Sequence, residues 1–157
     1  MPADDANPAT MEPREFALLV KNTPTSELRR MMRGEKRTAV LDELFARMPS
    51  VFRAERARGL EAVVHWNVGD RPDGGTDVYE LVISGGRCAI SARPDREPGL
   101  TLTLGAVDFL QLVTGNAHAL ALVMRGKMRT KGDLALTAKF PSLFDIPRAG
   151  RPAAGSA

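Results

Sequence analysis

Few side chains in this sequence are of a type that does covalent chemistry. There are two histidines, His65 and His118, and one cysteine, Cys88. Two histidines so far apart are too few for a metal site. His65 is expected at solvent or at a sheet edge, and His118 between helices near a mouth. Cys88 alternates with Ala89 and Ile90 and reads as a small core residue rather than a nucleophile. There is no G-x-S-x-G, no P-loop and no G-x-G-x-x-G; the pairs Gly74-Gly75 and Gly85-Gly86 fall where turns need them. No catalytic residue, metal or cofactor is expected, so the chain does not read as an enzyme.

The remaining chemistry is electrostatic. GKMRTKGDLALTAKF (126–140) sets Lys127, Arg129 and Lys131 on one side of a strand and Met128 and Thr130 on the other. Such a row is either a solvated face that deters edge pairing or, joined by Arg125, a strip that docks transiently on anionic lipid headgroups. The second use is worth about 1 kcal/mol per basic residue. Asp133 is a natural N-cap for the next helix. There Leu134 and Ala138 share one face, Leu136, Phe140 and Leu143 the neighbouring one, and Pro141 should end the helix after Phe140. That arc is wide for a helix lying only on a sheet: it is ordinary core, or part of it lines a cavity.

The elements that hold these residues follow from period. A helix opens at Pro13 before Phe16, Leu18, Leu19 and Val20; a second is expected to use Thr23 as N-cap and to stop at Gly34. A third, Glu35 to Met48, carries Val40, Leu41, Leu44, Phe45 and Met48, with Arg37, Asp42, Glu43 and Arg47 elsewhere. The period then becomes two in 60–68, 76–84, 87–92 and 100–104, separated by short turns, which predicts a four-stranded antiparallel meander with one wet face. Helices follow at 106–114 and 117–124, then a strand at 127–131 and the last helix. The pattern is α+β, with helices covering one face of the sheet because Trp66, Leu81, Ile83 and Ile90 need burial.

At 157 residues, 43% hydrophobic and 26% charged, the chain suits one soluble core. No apolar run spans a membrane, and the acidic N-terminus is no secretory signal, so a cytoplasmic location is expected. The net charge of +3 is too small for a dedicated nucleic-acid binder. Arg29, Arg30, Arg33, Lys36 and Arg37 are the cations such a binder would use, but an aromatic content of 5% gives bases little to stack on. No nucleic-acid partner is expected.

GKMRTKGDLALTAKF resembles the signature of the sterol carrier protein type 2 family. TLTLGAVDFLQLVTGNAHALALVMRGK resembles the family's strand, Asp-Phe-Leu helix and two spaced glycines, and VVHWNV with VYELVISGGRCAIS resembles its first strands. The likeness runs over about 35–146. It implies a five-stranded, mostly antiparallel sheet covered on one face by helices, with an apolar tunnel for a fatty acid, acyl-CoA, sterol or other lipid, and no catalysis. Residues 1–34 are then a tail with short helices, 35–147 the lipid-binding domain and 148–157 a second tail. The expected ligand contacts are Trp66, Phe109, Leu112, Val113, Leu120, Met124, Met128, Leu136, Phe140, Leu143 and Phe144. Relatives often carry Asn-Pro-Gln where this chain has His118, Ala119 and Leu120, which leaves its tunnel more apolar and puts recognition of a sterol hydroxyl in doubt. The alternative reading is an accessory module that presents lipid to a partner enzyme, motivated by the N-terminal helices; the sequence names no protein partner.

Overall fold

The computed structural model describes residues 11–145, so the expected tail at 148–157 and the first ten residues of the expected 1–34 segment lie outside the described residues. Three helices lead: α1 (Pro13–Asn22), α2 (Thr25–Met31) and α3 (Arg37–Arg47). Pro13 opens α1, which buries Phe16, Ala17 and Val20. Thr23 does not cap α2. Its hydroxyl donates backwards to the Leu19 carbonyl, one of the acceptors a helix end leaves unpaired, and α2 starts at Thr25 without a side-chain cap.

The expected stripe of α3, Val40, Leu41, Leu44, Phe45 and Met48, is buried throughout. Arg37, assigned by period to the polar side, is buried too. Its Nε donates to Asp77 Oδ2 at 2.9 Å, Nη1 to the Met32 carbonyl at 3.1 Å and Nη2 to the Val68 carbonyl at 2.9 Å. A guanidinium with a carboxylate and two carbonyls in its fork is satisfied, which is the condition for a charge to be buried. It is therefore a structural tie and not one of the surface cations counted above.

The sheet has five strands, β1 (Ala62–Val68), β2 (Asp77–Ser84), β3 (Arg87–Ser91), β4 (Leu100–Leu104) and β5 (Met128–Gly132), in the order β3-β2-β1-β4-β5. Three ladders are antiparallel, but β4 runs parallel to β1 instead of extending a meander beyond β3. The register gives the reason. Leu100, Leu102 and Leu104 come opposite Val64, Trp66 and Val68, so one unbroken apolar face forms across the middle of the sheet.

To reach β4 the chain must pass over the other face, and Glu80 anchors it there. Glu80 Oε2 accepts the Asp95 and Arg96 amides at 3.2 and 3.0 Å and pairs with His65 Nε2 at 2.9 Å. His65 thus lies on a central strand, mostly covered, rather than at an edge or in solvent. Burial pushes the Glu80 carboxyl up, but His65 and the two amides outweigh it and hold its pKa below 4.5. A depressed folded pKa stabilises above the unfolded value and is lost as pH falls through the folded one. The melting temperature of the wild type should therefore drop more steeply than that of Glu80→Gln as the pH is lowered from about 5 to 3, read by circular dichroism.

The helical layer covers the opposite face. Phe45 sits at its centre, stacked on Tyr79 at 4.0 Å and Phe109 at 4.7 Å and edge-on to Trp66 at 6.1 Å. Cys88 shares this face with Ile90, and burial pushes its thiol up to about 12, the opposite of what a nucleophile needs. The chain closes with α4 (Ala106–Val113), α5 (Ala119–Met124) and α6 (Leu134–Lys139), which gives way to a 3-10 turn, Phe140–Leu143, at Pro141.

Candidate apolar binding site

Between the sheet and the helices the packing is incomplete. A cavity of about 400 Å³ lies over Trp66, Leu102 and Met128 of the sheet. Its walls are Leu44 of α3 with Met48 just after it, Leu112 and Val113 of α4, Ala119, Leu120 and Val123 of α5, and Leu134, Thr137 and Ala138 of α6 with Phe140 of the turn that follows, together with Pro13 and Phe16 of α1. The polar side chains on it are Arg47, Ser50, Thr114 and Thr137, with no histidine, cysteine or carboxylate among them. Its size and apolar lining are those of a small-molecule pocket. Nothing on this wall can act as a general base or hold a metal, so what the geometry offers is enclosure of hydrocarbon. Trp66, only 3% exposed, is set among Phe45, Phe109 and Phe140, and its indole N–H has no partner among the described residues.

Each wall is held by a local device. Asp133 accepts the Leu136 amide at 3.0 Å and so starts α6 directly after β5. Gly132 makes that start possible, because with φ at +119° it crosses so closely over Gly99 that a Cβ would come within 2.2 Å of the Gly99 carbonyl oxygen. The same carbonyl accepts the Asp133 amide at 3.0 Å. At the far wall, Asn116 Nδ2 donates to the Ala17 carbonyl at 3.0 Å and ties α1 to the turn after α4.

The structure brings together Trp66, Leu112, Val113, Leu120, Met128, Phe140 and Phe144 on the cavity wall. Phe109, Leu136 and Leu143 are buried away from it: Phe109 belongs to the Phe45 stack, and Leu136 and Leu143 fasten α6 and its closing turn to the core. Met124 is also off the wall, at 79% exposure on the outside of α5. Pro13, Phe16, Leu44 and Met48 were missed. A helical stripe shows that a residue is turned inward, and does not show whether it meets a neighbour or a gap. His118 precedes α5 and is exposed, next to the lining pair Ala119 and Leu120. Arg125, Lys127, Arg129 and Lys131 are all exposed along the turn after α5 and on edge strand β5.

A model of the SCP-2 sterol transfer family matches residues 41–145, two thirds of the chain. The chain belongs to that family. Among solved structures, this SCP-2 family chain resembles apo sterol carrier protein 2 from Yarrowia lipolytica, with 23% identity and a TM-score of 0.54 over 68% of this chain and 88% of that one. It also resembles the stereoselective inverting sec-alkylsulfatase Pisa1 from Pseudomonas sp., with 15% identity and a TM-score of 0.58 over 75% of this chain but only 20% of that one. At these identities the likenesses establish a shared α+β fold. No curated protein matches the chain. Membership of the SCP-2 sterol transfer family supports lipid binding in general. The match begins at Leu41, so the part of the cavity wall supplied by Pro13 and Phe16 lies before it. Among the described residues no helix is long and apolar enough to cross a membrane, and no cluster of side chains could hold a metal ion.

Proposed function

We propose that the chain holds the hydrocarbon part of one lipid in the cavity over Trp66, Leu102 and Met128 and passes it between membranes without chemical change. The observation that carries this reading is the cavity itself: about 400 Å³ of apolar space left where helices and sheet do not meet. Enclosing about 12 methylenes would gain roughly 10 kcal/mol at about 0.8 kcal/mol each. Ordering costs of about 4 kcal/mol leave roughly 6 kcal/mol, a Kd of some tens of micromolar, tight enough to load and loose enough to release. With Leu120 where relatives often carry glutamine, the ligand is a fatty acyl chain in preference to a sterol. Titration with a fluorescent fatty acid, competed by unlabelled fatty acids and by cholesterol, tests it. Saturable binding displaced more readily by the fatty acid supports the reading, and no saturable binding of any class ends it.

The likeness to one fifth of an alkylsulfatase favours a second reading, in which the fold serves as an accessory part that presents lipid to an enzyme. The two readings separate at α1. If residues 1–34 only recruit a partner, changing Phe16 leaves lipid affinity untouched. If α1 is a cavity wall, Phe16→Leu weakens binding severalfold while costing only about 1 kcal/mol of stability.

A further inference from the structure

The apolar wall carries one charge. Of the residues around the cavity only Arg47, the last of α3, is ionised, and no carboxylate shares the wall with it. The neutral polar groups there have nothing left to donate. Ser50 Oγ gives its hydrogen to the Arg47 carbonyl at 2.6 Å, Thr114 Oγ1 to the Leu110 carbonyl at 2.6 Å and Thr137 Oγ1 to the Asp133 carbonyl at 2.9 Å. A hydroxyl has a single hydrogen, so none of the three can donate to a ligand as well. The Trp66 indole N–H is unspent but wholly covered. The guanidinium is different. Its Nε donates to Glu43 Oε1 at 3.3 Å and its Nη2 to the Met11 carbonyl at 3.4 Å, both long bonds. An arginine has about five N–H donors, so those two bonds leave the majority of them without a partner among the described residues. The side chain is 26% exposed, so the charge keeps contact with water while it lines the cavity.

We infer that Arg47 is the head-group site of this cavity and that the ligand is an unesterified acid, its carboxylate on the guanidinium and its chain over Trp66 and Leu102. The inference rests on the carrier reading and narrows it from an acyl chain to a free acid. On a wall whose reachable donor is a cation, an acceptor with a full negative charge gains most. An ester, an alcohol or a sterol hydroxyl gains a weaker bond there. The planar carboxylate also matches the planar guanidinium. Glu43 competes for the same cation, but it is off the wall, a third exposed and at 3.3 Å, so it holds Arg47 weakly. Burial of the chain supplies affinity for any ligand of the right length, and Arg47 selects among heads.

The experiment compares lauric acid, methyl laurate and dodecanol, alike in chain and different in head, at about pH 8, where the acid is ionised. The readout is the emission of Trp66, the single tryptophan of the chain and part of the cavity floor. Wild type should bind the acid about tenfold more tightly than either neutral ligand, the equivalent of about 1.4 kcal/mol. Arg47→Gln should weaken the acid about tenfold and the neutral ligands about twofold at most, which erases the preference. Arg47→Lys should keep part of it, because it retains the charge and loses the planar fork. Glu43→Gln should tighten the acid about two- to threefold by removing the competitor. An Arg47 that only ties α3 to Met11 would, on substitution, weaken all three ligands alike. That result, or a wild type that binds the three equally, would overturn the head-group site and leave the carrier reading intact. Saturable binding of none of them would sink both together. The wild-type comparison needs no variant, so it decides the matter whether or not Arg47→Gln folds.

Discussion

Gly132→Ala should lower the melting temperature by roughly 10–15 °C, on the basis of about 3–5 kcal/mol lost in a domain of this size. Two costs combine. The first is conformational: at φ = +119° the residue is outside even the left-handed helical region where an L-residue is tolerated at moderate expense. The second is steric. The added methyl would come within 2.2 Å of the Gly99 carbonyl oxygen and 3.1 Å of the Leu100 Cα, and both belong to backbone that cannot swing aside. Gly99 is held from two directions, its amide donating to Val63 and its carbonyl accepting from Asp133. Relief therefore requires β5 to pull away from β4, and α6 goes with it. Since α6 and the turn after it supply Leu134, Thr137, Ala138 and Phe140 to the cavity, lipid binding should weaken alongside stability. Gly126→Ala is the control. Its φ of +72° lies in the left-handed region and nothing comes within 4 Å of its would-be Cβ. It should cost only about 1 kcal/mol. Equal melting temperatures for the two variants, by calorimetry, would show that the close crossing at Gly99 is not what fixes β5.

Much of this architecture was legible in the sequence because the local signals were unambiguous. The alternation of Val64, Trp66 and Val68, the stripe from Val40 to Met48, the Asp133 cap and the stop at Pro141 each follow from one element's own chemistry. What failed was non-local. Nothing within 92–99 says that the chain crosses the sheet to pair β4 with β1; that depends on Glu80, far away in sequence, receiving the Asp95 and Arg96 amides. Arg37 looked like surface because a cation's burial depends on partners that no window contains, here Asp77 and the Met32 and Val68 carbonyls. The cavity wall behaved likewise. Phe109 and Phe140 carry the same apolar signal, yet one completes an aromatic stack and the other faces empty space. The exterior of α5 was not legible either: Met124, expected in the cavity, is exposed, and that depends on which turn of a short helix rests on β5.

Leu102→Trp should abolish tight binding of a long acyl chain without unfolding the protein, and the pattern of its effect distinguishes a ligand inside the cavity from one adsorbed outside. Leu102 is on the cavity floor, next to Trp66 and opposite Thr130. Its side chain rises from the sheet toward the walls, so a larger one occupies space that the ligand needs. Displacing about three methylenes forfeits roughly 2.4 kcal/mol, a weakening of about 50-fold. Filling a cavity that is open in the free protein gains contacts, so the melting temperature should hold or rise by a few degrees. Chain length supplies the sharper measurement. In wild type, affinity should climb with each added methylene until the cavity is full, whereas in Leu102→Trp the climb should stop about three methylenes earlier, with short acids binding nearly as before. Ala138→Trp, at the mouth beside Leu134, should instead lower affinity at every length, because it narrows the entrance and leaves the depth unchanged. If both variants shifted all chain lengths equally, or neither shifted any, the hydrocarbon would have to lie somewhere other than the space between Trp66 and α6.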